Sequence, residues 1–136
     1  MKRNVLIFST LSGALAVALG AMGAHVLNER IEASQLQVFE TAVRYQMYHT
    51  LALIAFASLH EKLNGKFLSI ASYLFVVGII LFSGSLYFLS TRTLFNISGC
   101  SWAGIITPFG GLAFIAGWIF TLISILSPPP PPPPTA

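Results

Sequence analysis

The sequence predicts an all-α protein, an integral membrane bundle of four antiparallel transmembrane helices, and three observations carry that prediction. Hydrophobic residues make up 55% of the 136-residue chain and charged residues only 8%, against about 25% charged in a soluble domain. So few charges cannot coat a water-facing surface, and a mean hydropathy of +0.79 makes lipid the solvent for most of it. The apolar residues fall in four stretches, at about residues 5–27, 36–60, 67–89 and 106–126. A helix needs roughly 20 residues to cross the hydrocarbon core, so each stretch is long enough. In lipid no water satisfies an open backbone, which favours helices for all four. Residues 1–127 are therefore one transmembrane domain, and 128–136 form a polyproline tail.

The first stretch follows Lys2 and Arg3 and ends among Gly20, Ala21, Gly23 and Ala24. That arrangement also describes a secretory signal peptide, but the apolar run is longer than a usual signal core, so a retained helix is expected. The second has a start signal: Ser34 caps and Gln37 reaches back, an S-x-x-Q capping box. Glu40 and Arg44 then sit four apart and can pair, while Leu36, Phe39 and Val43 give the first turns an apolar stripe at headgroup level. The fourth is expected to start with Thr107 as cap and Pro108 at the first helical position. It stops at Ser127, because seven prolines follow at 128–134. That tail reads as an extended polyproline helix, and a solvated spacer is favoured over a docking segment for an aromatic groove.

Net charge is +3, yet the seven Lys and Arg never form a run, so nucleic acid is not an expected partner. They read instead as flanking charges that orient helices. Four spans put both termini on one side, with Lys2, Arg3, Lys62 and Lys66, against Arg30, Arg92 and Arg44 on the other. That bias places both termini in the cytoplasm. Cys100 is the single cysteine, which allows no internal disulfide and no zinc spacing. No metal and no cofactor is expected.

The polar residues gather towards one membrane face. With alternating helices, that face receives Gly20, Gly23 and His25 from the first, and Arg44, Tyr45, Gln46, Tyr48, His49 and Thr50 from the second. The third contributes Ser83, Ser85 and Tyr87, and the fourth Thr107, Pro108, Gly110 and Gly111. His49 lies roughly 7.5 Å deeper than Arg44 at helical rise and is expected to face the bundle, bonded to Thr50, Tyr87, Ser83 or Ser85. Gly20, Gly23, Gly84, Gly110, Gly111 and Gly117 read as packing surfaces, since small residues let backbones approach in lipid. Ala16, Gly20 and Ala24 keep small-xxx-small spacing.

At these residues the chain resembles a known family. The segments are Gly20-Ala21-Met22-Gly23-Ala24-His25, Phe39-Glu40-Thr41-Ala42-Val43-Arg44-Tyr45-Gln46, Leu81-Phe82-Ser83-Gly84-Ser85-Leu86-Tyr87 and Ile106-Thr107-Pro108-Phe109-Gly110-Gly111. They are similar to those of small membrane proteins catalogued as domain of unknown function 423, whose animal relative is called transmembrane protein 256. The resemblance runs to Trp118 and implies four membrane helices in a plasma or inner membrane. It implies no activity, and it does not extend to the proline tail.

Three functions are weighed. A non-enzymatic protein that binds the bilayer and other membrane proteins, or a second copy of itself, as an accessory or assembly subunit, fits the small size and smooth helix faces best. The alternative is a binding or permeation site for a small molecule, lipid or ion at the non-cytoplasmic face, lined by His25, Arg44, Tyr48, His49 and Tyr87, with Arg44 favouring an anion. An enzyme or metal site is disfavoured: two histidines fall short of a metal set, and no acidic third member accompanies Ser83 or Ser85.

Overall fold

The computed structural model describes residues 2–97, 99 and 102–128, and among these the chain is all-helical. Cys100 and the tail beyond Pro128 lie outside the described residues. Helix α1, Lys2–Met22, continues through a π-helical turn, Gly23–Leu27. Helix α2 is Ala33–Leu59. Helices α3, Gly65–Gly78, and α4, Gly84–Thr91, are joined by a second π-helical turn, Ile79–Ser83, into one rod. A 3₁₀ turn, Arg92–Phe95, ends that rod, with Asn96 left-handed at φ 53° and Ile97 N–H closing on the Arg92 carbonyl at 3.1 Å. This is the usual way to satisfy the last carbonyls of a helix. Helix α5 is Trp102–Leu126.

Both expected start signals are corrected. Helix α2 begins at Ala33, with Glu32 in extended geometry as its cap and no side-chain cap bond. The Glu32 carbonyl already accepts Leu36 N–H at 2.9 Å, so Ser34 sits inside the first turn and no capping box forms. Helix α5 begins four residues before the expected point, and Pro108 lies inside it. Thr107 is therefore not a cap; its hydroxyl turns back to the Ala103 carbonyl at 3.4 Å. Proline removes one backbone bond, but the residue four before it is Gly104, and membrane helices tolerate such breaks.

Three helical segments are long and apolar enough to cross a membrane: Arg3–Leu27, Gly65–Phe95 and Trp102–Leu126. Helix α2 matches them in length at 27 residues, but Gln35, Gln37, Glu40, Arg44, Gln46 and His49 keep it out of that set.

Neighbouring helices meet with numbers rising along one and falling along the other. Ser12 meets Thr50, a Cβ on Gly20 would meet Val43, and one on Gly23 would meet Phe39. Phe56 stacks near Phe75 and Tyr45 near Phe82, while Phe75 meets Trp118 and Phe88 meets Trp102. At one end Asn64 ties the α2–α3 turn to the end of α5, its carbonyl accepting Ser124 Oγ at 2.9 Å and its Nδ2 donating to the Pro128 carbonyl at 3.2 Å.

The packing is small and polar inside, large and apolar outside. The buried face of α1 reads Val5, Ser9, Ser12, Ala16, Gly23 and Leu27, whereas Leu6, Ile7, Leu11, Leu15 and Val17 are exposed. In α5, Ala103, Gly110, Gly117, Thr121 and Ser124 are buried, and Ile105, Phe109, Leu112, Ile115 and Ile119 are exposed. Water would reverse this distribution; lipid solvates the large residues, so the helix contacts go to residues that permit close approach. Buried hydroxyls bond back to their own helix, as Ser9 does to the Val5 carbonyl at 2.7 Å and Ser72 to that of Leu68 at 2.8 Å.

Candidate functional site

The expected polar cluster divides by helical phase. Residues three, four and seven apart share a helix face, so on α2 Gln46, His49, Thr50 and Leu53 turn inward and are buried. Arg44, Tyr45 and Tyr48 are exposed on its outer side, as is His25 at the end of α1. The structure thus does not bring His25, Arg44 and Tyr48 together with His49 and Tyr87 around one cavity.

The inward residues form a network across three helices. Gln46 Nε2 donates to the Ser12 carbonyl at 2.9 Å and approaches Ser12 Oγ at 3.3 Å. Its Oε1 accepts Tyr87 Oη at 2.8 Å. Ser12 Oγ and Thr50 Oγ1 share a hydrogen bond of 2.8 Å. Gln46 is only 3% exposed, so each bond replaces one that water would have made. Ser12 went unnoticed in the sequence reading, although its register with Val5, Ser9 and Ala16 marks the inner face. A separate pair joins the third rod to α5: Ser85 Oγ and Thr107 Oγ1 lie 2.7 Å apart.

His49 does not bond to Thr50, Tyr87, Ser83 or Ser85. Its Nδ1 lies 2.8 Å from the Tyr45 carbonyl one turn earlier. A carbonyl only accepts, so the proton sits on Nδ1. The ring stacks on Phe114 at 3.6 Å between centroids and 10° between planes, with the Phe75 ring at 4.8 Å and 83°. This aromatic surround is why no hydroxyl reaches it. His49 Nε2 and Ser83 Oγ are buried without a hydrogen-bond partner. Among the described residues no three His, Cys, Asp or Glu side chains gather as a metal set.

The glycines differ in what they do. A Cβ on Gly110 would collide with the Phe82 backbone, lying 2.7 Å from its Cα, and one on Gly117 would collide with the Phe75 ring. Gly78, absent from the expected set, has the same relation to Phe114. A Cβ on Gly23 would lie 3.2 Å from the Phe39 ring and one on Gly20 3.5 Å from Val43. Gly111 has only ordinary clearance, 3.8 Å from the Phe82 ring, and around Gly84 there is open space. Gly84 is therefore no packing contact within the chain: it lies on the outer side of α4, beside a crevice of about 480 Å³.

That crevice opens between α1 and the third rod. Phe8, Leu11, Leu15, Ile79 and Ile80 supply most of its wall, with Ser12, Gln46 and Tyr87 also lining it. On the outer side of α2, Arg44 Nη2 lies 2.8 Å from Glu40 Oε2, with the two side chains 56% and 49% exposed. Tyr48 is exposed one turn further on.

The sequence model of a family described as "Protein of unknown function (DUF423)" matches residues 19–111. The chain is 44% identical over 120 residues to the UPF0382 membrane protein YwdK of Bacillus subtilis, covering 88% of this chain and 93% of that one. It is 42% identical over 119 residues to a UPF0382 membrane protein of Haemophilus influenzae, covering 88% and 90%. With the UPF0382 inner membrane protein YgdD of Escherichia coli K12 the identity is 39% over 121 residues, covering 89% and 88%. No solved structure matches the chain.

Proposed function

This chain belongs to the DUF423 family of unknown function, and on that premise we propose that it is a four-span, non-enzymatic protein that binds other membrane-embedded chains. Its relatives are named membrane proteins, and lipid is the solvent its outer faces fit. The finer reading takes α2 as the fourth span of an antiparallel transmembrane bundle. Helix α2 is about 40 Å long at helical rise, enough for a core of about 30 Å, and it packs in register against α1 and the third rod. Lys62 and Lys66 lie at the end of the molecule where Asn64 meets Ser124, and the positive-inside rule puts that end and both termini in the cytoplasm. The membrane is then the plasma or inner membrane.

One observation carries the binding reading. Most interior polar groups are bonded to one another, as Gln46, Tyr87, Ser12 and Thr50 are. The charged pair Glu40–Arg44 instead faces outward from a membrane helix. An ionised residue at a helix centre costs about 2.5–3.5 kcal/mol on insertion scales, and such residues face protein or water rather than lipid tails. A partner that covers this face removes the mismatch. Interior hydroxyls and amides then act as glue between helices.

Capture of the tagged chain from its native membranes in mild detergent tests this. A partner retained in fixed stoichiometry, and released by Arg44→Ala, is the expected result. A chain recovered alone, with lipid as its sole companion, sinks the proposal.

A second reading has its own observation, the crevice beside Gly84. Its volume lies within the range of small-ligand sites, roughly 300–1,000 Å³, and its wall suits an apolar tail. In that reading the chain holds a lipid or other amphiphile. Density or mass of a bound lipid that Gly84→Leu abolishes distinguishes it from the first.

A further inference from the structure

We infer that two copies of this chain pack side by side in the membrane through the outward face of α2, pairing Glu40 and Arg44 of each copy across the interface. The inference rests on the binding reading above and names the partner.

Depth is the first argument. Val43 and Tyr45, the neighbours of Arg44, lie beside Gly20 of α1 and Phe82 of the third rod, and Phe82 lies against Gly110 of α5. Gly110 is eight residues into α5, about 12 Å from its start at helical rise. Helix α5, with 25 residues, overhangs a hydrocarbon core of about 30 Å by only a few ångströms at each end. The backbone at Arg44 therefore lies well inside the hydrocarbon, below the headgroups.

Self-complementarity is the second. The pair is neutral as a unit, with a cation and an anion one helical turn apart. A two-fold axis along the membrane normal sets two α2 helices parallel, with the same patch on both. Glu40 of one copy then faces Arg44 of the other, twice over. Each carboxylate gains a second guanidinium, and no third charge is required.

Spacing is the third. From Arg44 the exposed residues Tyr48, Leu51, Ala55 and Ser58 follow at steps of four, three, four and three. That repeat keeps one seam facing a partner along two helices crossing at a shallow angle, and the small Ala55 and Ser58 permit close approach at its deep end. The outer faces of α1 and α5 carry Leu, Ile, Val and Phe and suit lipid.

Two differently tagged copies, co-expressed and captured through one tag, test the pairing. Wild type should retain the second tag. Glu40→Arg alone and Arg44→Glu alone place like charges across the seam, and each should lose self-capture by roughly tenfold or more. One copy of each variant, expressed together, should regain capture to within a few-fold of wild type. Neither variant keeps the pair within its own helix, so recovery reports contact between copies. Self-capture of either variant at the wild-type level overturns the inference, as does a mixed pair that fails while both variants melt like folded wild type. In a Cys100→Ser background, Leu51→Cys should oxidise in membranes to a species of twice 14.7 kDa, and Leu112→Cys on α5 should not. Crosslinking of Leu51→Cys to a different stoichiometric membrane protein overturns the second copy but leaves the binding reading standing. A wild-type chain that captures neither itself nor another protein overturns both.

Discussion

Substituting Gly110 by alanine tests the closest approach in the fold. The added Cβ would lie 2.7 Å from Phe82 Cα and Cβ and nearer still to its backbone nitrogen. Carbon atoms rest at about 3.5–4.0 Å, so the third rod and α5 must part by roughly 1 Å. The obstacle is backbone in a π-helical turn, with no rotamer to swing aside. Overpacking of this kind costs about 1–3 kcal/mol, occasionally more. The separation also stretches the Ser85–Thr107 hydrogen bond of 2.7 Å, worth about 0.6 kcal/mol on average between membrane helices. Against this, alanine improves helix propensity by about 1 kcal/mol. The net expectation is a loss of about 1–3 kcal/mol. Gly111→Ala, the adjacent position, has 3.8 Å of clearance, and Gly84→Ala has open space. Both should be neutral or gain up to about 1 kcal/mol. Unfolding in mixed detergent–SDS micelles, followed by circular dichroism, ranks the three. Gly110→Ala standing level with Gly111→Ala would refute the close approach, and with it the α4–α5 register.

Gln46→Leu removes the bonds to Ser12 and Tyr87 and should cost about 1–3 kcal/mol, at roughly 0.6–1.7 per interhelical bond; a double-mutant cycle with Tyr87→Phe should show coupling in the same unfolding assay. His49→Ala empties a site stacked on Phe114 and should destabilise by several kcal/mol, near the range for buried aromatic truncations of about 3–5. Lys62→Ala, at an exposed position, should stay within about 0.5 kcal/mol of wild type, so equal melting of His49→Ala and Lys62→Ala would count against the interior described here. Asn64→Ala releases the end of α5 by removing the bond to Pro128; faster amide exchange over the last turn of α5, with α1 unchanged, is the expected signature.

The helical class was legible because it rests on composition and run length, which tertiary context does not alter. The helix starts were not. Ser34 and Thr107 are good capping residues, but a cap matters only where the chain leaves the helix. At Ala33 and Trp102 the chain was already helical. The two π-helical turns left no trace either, since Gly23–Leu27 and Ile79–Ser83 are apolar segments like their neighbours. The direction in which each glycine points was half legible. Gly110 and Gly117 keep the seven-residue spacing of one face, whereas Gly84 falls one residue beyond the buried Ser83.

The polar cluster was read by depth, and depth alone cannot say which side of a helix a residue occupies. Phase could have said it. In water the apolar residues give the phase away, because one face is wet. In lipid both faces are apolar, so the moment that marks a soluble helix vanishes. What remains periodic is size and polarity: Phe39, Ala42, Gln46, His49, Thr50 and Leu53 advance by threes and fours along one side of α2. Arg44, Tyr48 and Leu51 advance likewise along the other. Two polar stripes on opposite sides of one membrane helix require two neighbours. The chain supplies the first, through Ser12, Tyr87 and Phe114. Lipid tails cannot be the second, because they offer nothing to a guanidinium. A helix that is polar on both sides at the same depth therefore marks an assembly, and this holds whichever chain proves to occupy the outer side.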